Sequence, residues 1–398
     1  MRKTILFALI SASFAAQAGT GQLPLAGAAD LVSTHIGNAA LPAGAFERKP
    51  VSFSWKLDPA AELKTAAPFV SESREYWTQV DAAEMQRGFA IDTTAAGAVI
   101  RVSPIGKSAP AGPEQLQLLK AGAPVNSKTA FAHRADAGQL QQAGMDISAG
   151  SAVVQFNPQL GQGRFQLRMA NAQGRYLVHV FEPKSVYALH AQTSHANVLA
   201  GDRIDVAASL GRGQTVLAGT QMSGVLVLPS GKSYDLVFVS NGHGGLHASA
   251  QLPTDAGNQP GLWEAQVFAG ASENGTRIQR DTRTAFAVAQ PTAKLGGNYQ
   301  FDPVALRFKL PVQVAATGRY GLSGTLYATA PDGIARPVAV SQSAAWFEPG
   351  QRALSLGFDR AVLPAGYRAP FELRYVELKD QTRQGQLETR ELAVREGG

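Results

Sequence analysis

The stretch Gly224-Val225-Leu226-Val227-Leu228-Pro229-Ser230-Gly231-Lys232-Ser233-Tyr234-Asp235-Leu236-Val237-Phe238-Val239 decides the fold class. Two short apolar runs flank Pro-Ser-Gly-Lys, residues that favour a tight turn, so the segment reads as strand, turn, strand. The same plan continues on both sides. Arg203–Ala208 alternates apolar and polar residues, and the Asn241–Gly245 turn leads into Leu246–Leu252. Gly261–Phe268 and Thr284–Val288 read as further strands. Short strands separated by turns over roughly 100 residues describe an immunoglobulin-like β-sandwich, expected here over residues 183–291.

Residues 296–395 repeat the plan. Val304–Phe308 and Tyr320–Tyr327 precede an Ala330-Pro331-Asp332-Gly333 turn, and Ala353–Phe358 and Phe371–Val376 follow. A Ser-Gly pair precedes the hairpin in both units, at Ser223-Gly224 and Ser323-Gly324. Gln290–Gly297 reads as the linker and Phe181–Lys184 as the preceding boundary. Residues 51–182 are mixed. Val51-Ser52-Phe53-Ser54-Trp55 alternates as a strand, and Asp81 is placed to cap a helix stopped at Gly88. Pro113–Lys120 and Asp136–Ala143 read as two more short helices. Residues 19–50, rich in Gly, Ala and Pro, read as an extended or loosely packed lead-in. The expected class is mainly β: an N-terminal α+β domain followed by two tandem immunoglobulin-like β-sandwich domains.

The chain opens with Arg2-Lys3, an apolar run from Ile5 to Ala16, and Ala16-Gln17-Ala18 before Gly19. A basic start, a short apolar stretch and small residues at the cleavage positions make a signal peptide over residues 1–18. The run is too short to span roughly 30 Å of hydrocarbon, and no later stretch is long and apolar enough. Cysteine is absent from the sequence. That excludes disulfides, thiolate nucleophiles, Cys-ligated zinc and a lipid-anchored cysteine, and it fits a bacterial periplasm or exterior. Removal of the leader leaves 34 basic against 30 acidic side chains, a formal charge of +4 instead of +6. The basic residues are scattered, so no nucleic-acid surface is expected.

Four stretches carry a family resemblance: Ser71–Trp77, Asp92–Ala98, Arg175–Phe181, and Gly318–Tyr327 with Ser343-Ala344-Ala345-Trp346. In this order they make the chain resemble the DUF4785 family of exported proteins from Gram-negative bacteria. The resemblance implies an N-terminal mixed domain, immunoglobulin-like domains and export. It implies no reaction and no active-site residues.

The residues themselves contain no Gly-x-Ser-x-Gly elbow, no His-Glu-x-x-His, no P-loop and no dinucleotide fingerprint. His243 and His247, with Asp255 nearby, could hold a metal, but a hairpin does not preset tetrahedral geometry. Calcium is conceivable at domain junctions through Asp202, Asp205, Asp302 and Asp332, although Asp-rich turns serve equally as turns. No other cofactor is expected. His179 alternates within a strand and reads as exposed or satisfied. The densest cluster is Glu72, Arg74, Glu75, Tyr76 and Trp77, with Asp81 and Glu84 close behind. Carboxylates beside aromatics suit ligand contact or acid–base work on a sugar; they suit a salt bridge over a buried Trp equally well.

The expected function is a non-enzymatic extracytoplasmic binding or interaction protein, whose partner is an external protein or polymer. The alternatives are a secreted hydrolase with its site in the N-terminal domain, or a structural part of an envelope assembly. Export has a direct check. Mass spectrometry of the protein recovered from periplasm or medium is expected to show a chain starting at Gly19; an intact Met1 in the cytoplasm would overturn it.

Overall fold

Apolar–polar alternation builds strands along nearly the whole chain: the computed structural model is 55% strand and 6% helix. It describes residues 19–61, 63, 68–213, 215–242 and 244–397. The leader, residues 1–18, lies outside them. No helix among the described residues is long and apolar enough to cross a membrane.

Three hydrophobic clusters organise the strands. The first lies between a sheet ordered Glu75–Asp81, Arg175–Phe181, Val99–Ile105, Ala152–Phe156, Phe131–Asp136 and a smaller one centred on Gly163–Arg168. Along Arg175–Phe181, Tyr176, Val178 and Val180 enter this core, which leaves Leu177 and His179 on the other face. Helix Ala82–Arg87 forms where expected: the Asp81 carboxylate accepts the Glu84 N–H at 2.8 Å, and Gly88 closes the helix at φ 110°. Helix Ala137–Gln142 has Asp136 and Gln139 as a reciprocal cap. The expected helix over 113–120 is not formed. Pro113–Gln115 make one 3-10 turn, and Gln117–Lys120 is a strand with Leu118 opposite Leu167, both fully buried. Sheet pairing at a buried site prevails over a short helix that must meet the cost of its own nucleation.

The second cluster holds the hairpin that decided the fold class. Gln221–Val227 pairs with Ser233–Val237, Val227 facing Ser233, and Gly231 supplies the positive φ of 81° at the turn. Strand Ser71–Ser73 joins this cluster by pairing with Tyr187–Thr193, so the chain passes between two sheets at Arg74. The third cluster is built from residues 293–394 with Leu199 and Ala289.

Two early segments sit on the third cluster. Val51–Lys56 is a strand, but it pairs with Ala335–Phe347, Val51 facing Ala344, and not with the N-terminal sheets that follow it in sequence. Alternation specifies a strand without specifying its partner. Residues 19–50 are extended and docked. Gly19–Gln22 pairs with Asn298–Asp302. Arg383 donates to the Ala39 and Ala40 carbonyls at 2.9 and 3.1 Å, Arg390 to Pro24 at 2.7 Å, and Arg319 to Lys49 at 2.8 Å.

The first two clusters meet at a buried ion pair. Arg280 and Glu182 are 2% and 1% exposed, with Nη2 and Oε2 2.7 Å apart. Glu182 also accepts the Thr94 and Ala95 N–H groups at 2.5 and 3.0 Å. Arg280 donates to Ser185 Oγ at 2.8 Å and to the Tyr187 and Gln279 carbonyls at 3.2 and 2.6 Å. A buried pair is tolerable only when its remaining donors and acceptors are met, and loss of one partner strands the other charge. Arg280→Met is expected to lower stability by about 3–5 kcal/mol, read as a fall in the urea midpoint. A loss below about 1 kcal/mol would show that the pair does not hold the junction.

Candidate ligand cleft

Strand alternation places a row of polar and aromatic side chains on the outer face of the first sheet. Trp77, His179 and Arg101 are register neighbours across three adjacent strands. The Trp77 ring stacks on His179 with centroids 3.9 Å apart and planes 9° from parallel. The Arg101 guanidinium lies 4.5 Å from the Trp77 ring centroid, a cation–π distance. His179 Nε2 bonds Glu75 Oε2 at 2.9 Å. The facing wall is the hairpin Trp263–Glu273 and Thr276–Ala289, where Phe268 lies opposite Asp281 and Gln266 opposite Arg283. Asp281 Oδ2 accepts the Trp77 N–H at 2.7 Å, and Ser71 Oγ lies 2.7 Å from Thr282 Oγ1. The first contact ties the two walls together beside a cleft of about 690 Å³, and the second holds Ser71–Ser73 to the hairpin wall.

Charge inside the cleft is unevenly matched. The His179 hydrogen bond holds the Glu75 carboxyl below its ordinary range against the opposing effect of burial, with Arg101 and Arg283 adding to the fall. Burial pushes Asp281 up to about 7, and repulsion from Glu75 adds to it; the Trp77 N–H and Arg283 oppose the rise. Burial also lowers the Arg101 pKa. Arg101 Nε is buried with no hydrogen-bond partner among the described residues.

Of the five residues singled out from sequence, Glu72, Glu75 and Trp77 line the cleft. Glu72 is already engaged by Arg74 and by His190 at 3.3 Å. Arg74 turns toward the junction and donates to the Ser185 carbonyl at 2.9 Å. Tyr76 does not belong with a ligand: it is 4% exposed and packed in the first core, because alternation sends it to the face opposite Glu75 and Trp77. Asp81 and Glu84 serve the helix start. His179, read from sequence as merely exposed or satisfied, is half-buried between Trp77 and Glu75.

Arg101, Phe268, Asp281 and Arg283 complete the cleft from far along the chain. The sequence signal for Arg101 is a lone charge inside the apolar run Ala98–Val102; the other three carry none, because their neighbourhood exists only after the two units dock. Elsewhere, Asp332 pairs with Arg336 at 2.6 Å, and Asp302 accepts the Val304 and Ala305 N–H groups at 2.9 Å. Asp205 is engaged by Ser249 and Arg203. His243 lies outside the described residues. No three His, Asp or Glu side chains form a metal-holding group among those described.

Asp281 makes stability depend on pH. Its folded pKa of about 7 lies above the ordinary 3.8, so the folded state holds a proton that the unfolded chain has lost between those values. The stability it contributes is complete below 3.8 and is lost as pH rises to about 7. Asp281→Asn removes this dependence. The variant is expected to match the parent in urea midpoint near pH 3.8 and to exceed it at pH 8. An equal difference at both pH values would show that Asp281 ionises normally.

Comparison with known proteins places the chain. The family model described as the DUF4785 N-terminal domain matches residues 42–182, and the DUF4785 C-terminal domain matches residues 292–395. A crystal structure of a DUF4785 family protein from Legionella pneumophila has a TM-score of 0.72 at 23% identity, covering 91% of this chain and 98% of its own. That likeness concerns the fold. The Escherichia coli adhesin FdeC matches at 11% identity and a TM-score of 0.20, covering 82% of this chain and 99% of its own, too low to carry an argument. No curated protein sequence matches. With both terminal domain models matched, the chain belongs to the DUF4785 family.

Proposed function

We propose that this protein is an exported, non-enzymatic binding protein of a Gram-negative bacterium, and that it holds its ligand in the cleft between its N-terminal and middle units. The N-terminal unit is α+β and ends at residue 182. Two immunoglobulin-like sandwiches follow at 183–291 and 296–395, with residues 19–56 strapped to the second. The Arg2-Lys3 start, the short apolar run and Ala16-Gln17-Ala18 support export, as does a sequence without cysteine.

The observation that carries the binding role is the composition of the cleft. Its two walls bring an aromatic row, an exposed Phe268 and an arginine from each side to about 690 Å³ of open space. Concave sites with apolar surface and a few directed polar groups are where small ligands and polymer segments bind. Phe268, 41% exposed, is available to a ligand without being needed by a core.

A second reading, hydrolysis in the same cleft, is supported by Glu75 and Asp281. Their environments push two carboxyl groups in opposite directions, as an acid and a base require.

Both readings meet one experiment. The chain from Gly19 is titrated calorimetrically with a panel of neutral and acidic oligosaccharides, and Phe268→Ala is expected to weaken the binding found at least tenfold. Binding unaffected by that change would place the ligand elsewhere. Release of shorter sugars, abolished by Glu75→Gln, would replace the binding role with hydrolysis.

A further inference from the structure

Resting on the cleft as the ligand site, we propose that its ligand is an acidic carbohydrate, a polymer of sugar rings carrying carboxylates that meet Arg101 and Arg283. Glu72 is engaged by Arg74 and His190, and Glu75 by His179. Asp281 accepts the Trp77 N–H and, with its pKa near 7, is protonated in a large fraction of molecules at neutral pH. The two arginines lie in the field of Glu75 but are held by no ion pair among the described residues. Neither donates a hydrogen bond to any described residue, and Arg101 keeps a buried, unpartnered Nε. Leaving such a donor unmet destabilises the protein, and a charge-assisted bond from a ligand carboxylate would remove that cost. The two guanidinium groups stand on different walls, Arg101 on Val99–Ile105 and Arg283 on Thr276–Ala289.

The remaining surface matches a sugar. Phe268 and Leu177 offer apolar surface for ring faces, and Ser71, Thr282 and Gln266 supply hydroxyl and amide groups for ring hydroxyls. An extended peptide is disfavoured, because strand addition needs free backbone groups at a sheet edge. The free edge of Glu75–Asp81 is already engaged: Ser73 Oγ accepts the Glu75 N–H at 3.1 Å and Asp281 accepts that of Trp77 at 2.7 Å. A densely charged phosphate or sulfate polymer is disfavoured by Glu72 and Glu75 in the same lining. One carboxylate per ring, spaced by neutral hydroxyls, suits two arginines set among carboxylates.

Calorimetry on the chain from Gly19 tests this with hexagalacturonate, its fully methyl-esterified counterpart, oligomannuronate, polyglutamate and heparin. At least one of the two uronate oligomers is expected to bind, with affinity falling as salt rises. Esterification of hexagalacturonate, should that be the binder, is expected to weaken it at least tenfold. Arg283→Gln, at a solvent-exposed position, is expected to cost the same factor. Arg101→Gln should act in the same direction, and its circular dichroism and urea midpoint will show whether it is folded. Equal binding of ester and acid, lost only in Phe268→Ala, would keep the cleft as the site and overturn the acidic class. Uronate binding untouched by Arg283→Gln and Phe268→Ala would overturn the cleft itself. Polyglutamate or heparin binding as tightly as a uronate would show charge alone and overturn the sugar. No binding of either uronate oligomer would overturn the proposal outright.

Discussion

The Arg280–Glu182 pair governs the geometry of everything around the cleft. Arg280 is carried by Thr276–Ala289, the long strand of the middle unit, while Glu182 follows directly on Arg175–Phe181 of the first sheet. Joining these two positions brings a strand of one unit against the end of a strand of the other. Residue alternation does the rest. With Arg280 turned into the junction, alternation puts Asp281 and Arg283 together on the opposite face, where both line the cleft beside Phe268. The pair is insulated from water, and all its principal donors and acceptors find partners, among them Thr94, Ala95 and Ser185. That completeness is what makes a buried charge pair compatible with a stable fold.

The crossing at Arg74 reinforces the junction. Ser71–Ser73 belongs to the sheet of the middle unit and Glu75–Asp81 to the first sheet, so two consecutive strands serve two cores. Arg74 itself reaches the Ser185 carbonyl, and the Glu182 N–H reaches the Arg74 carbonyl at 2.9 Å. The two units are therefore linked by covalent chain at 74, by chain again at 182–187, and by the buried pair. A cleft between walls tied at several points keeps its lining side chains in register with one another, which lowers the ordering cost of binding.

Much of this was legible in the sequence, and the limits have identifiable causes. The 224–239 hairpin, the capped helix after Asp81 and the strands at 175–181 and 371–376 are local signals, set by turn residues, caps and a two-residue period. What pairs with what is not local: Val51–Lys56 alternates well but completes a sheet about 290 residues away in sequence. The Glu72–Trp77 cluster supplies part of one wall of the cleft, yet composition alone could not separate Trp77, which faces the cleft, from Tyr76, which faces the core. A firm phase for the strand would have separated them. The opposite wall was invisible for a deeper reason. Asp281 and Arg283 look like ordinary surface charges until the junction buries one and aims the other.

The two ionic settings around this junction differ in a way that bears on function. At Arg280–Glu182 the burial of charge is matched bond for bond, and the result is structural. A few residues away burial is left unmatched: Asp281 is held half-neutral near pH 7, and Arg101 has a buried nitrogen with no acceptor. Both conditions work against folding, and neither serves a core, since Trp77, Phe268 and Leu177 beside them are partly or fully open to solvent. Local rules of polar satisfaction are broken where something other than stability is being served. The chain satisfies one buried arginine completely and leaves its neighbour across the junction wanting an acceptor, and that contrast is the physical ground on which the proposed binding role rests.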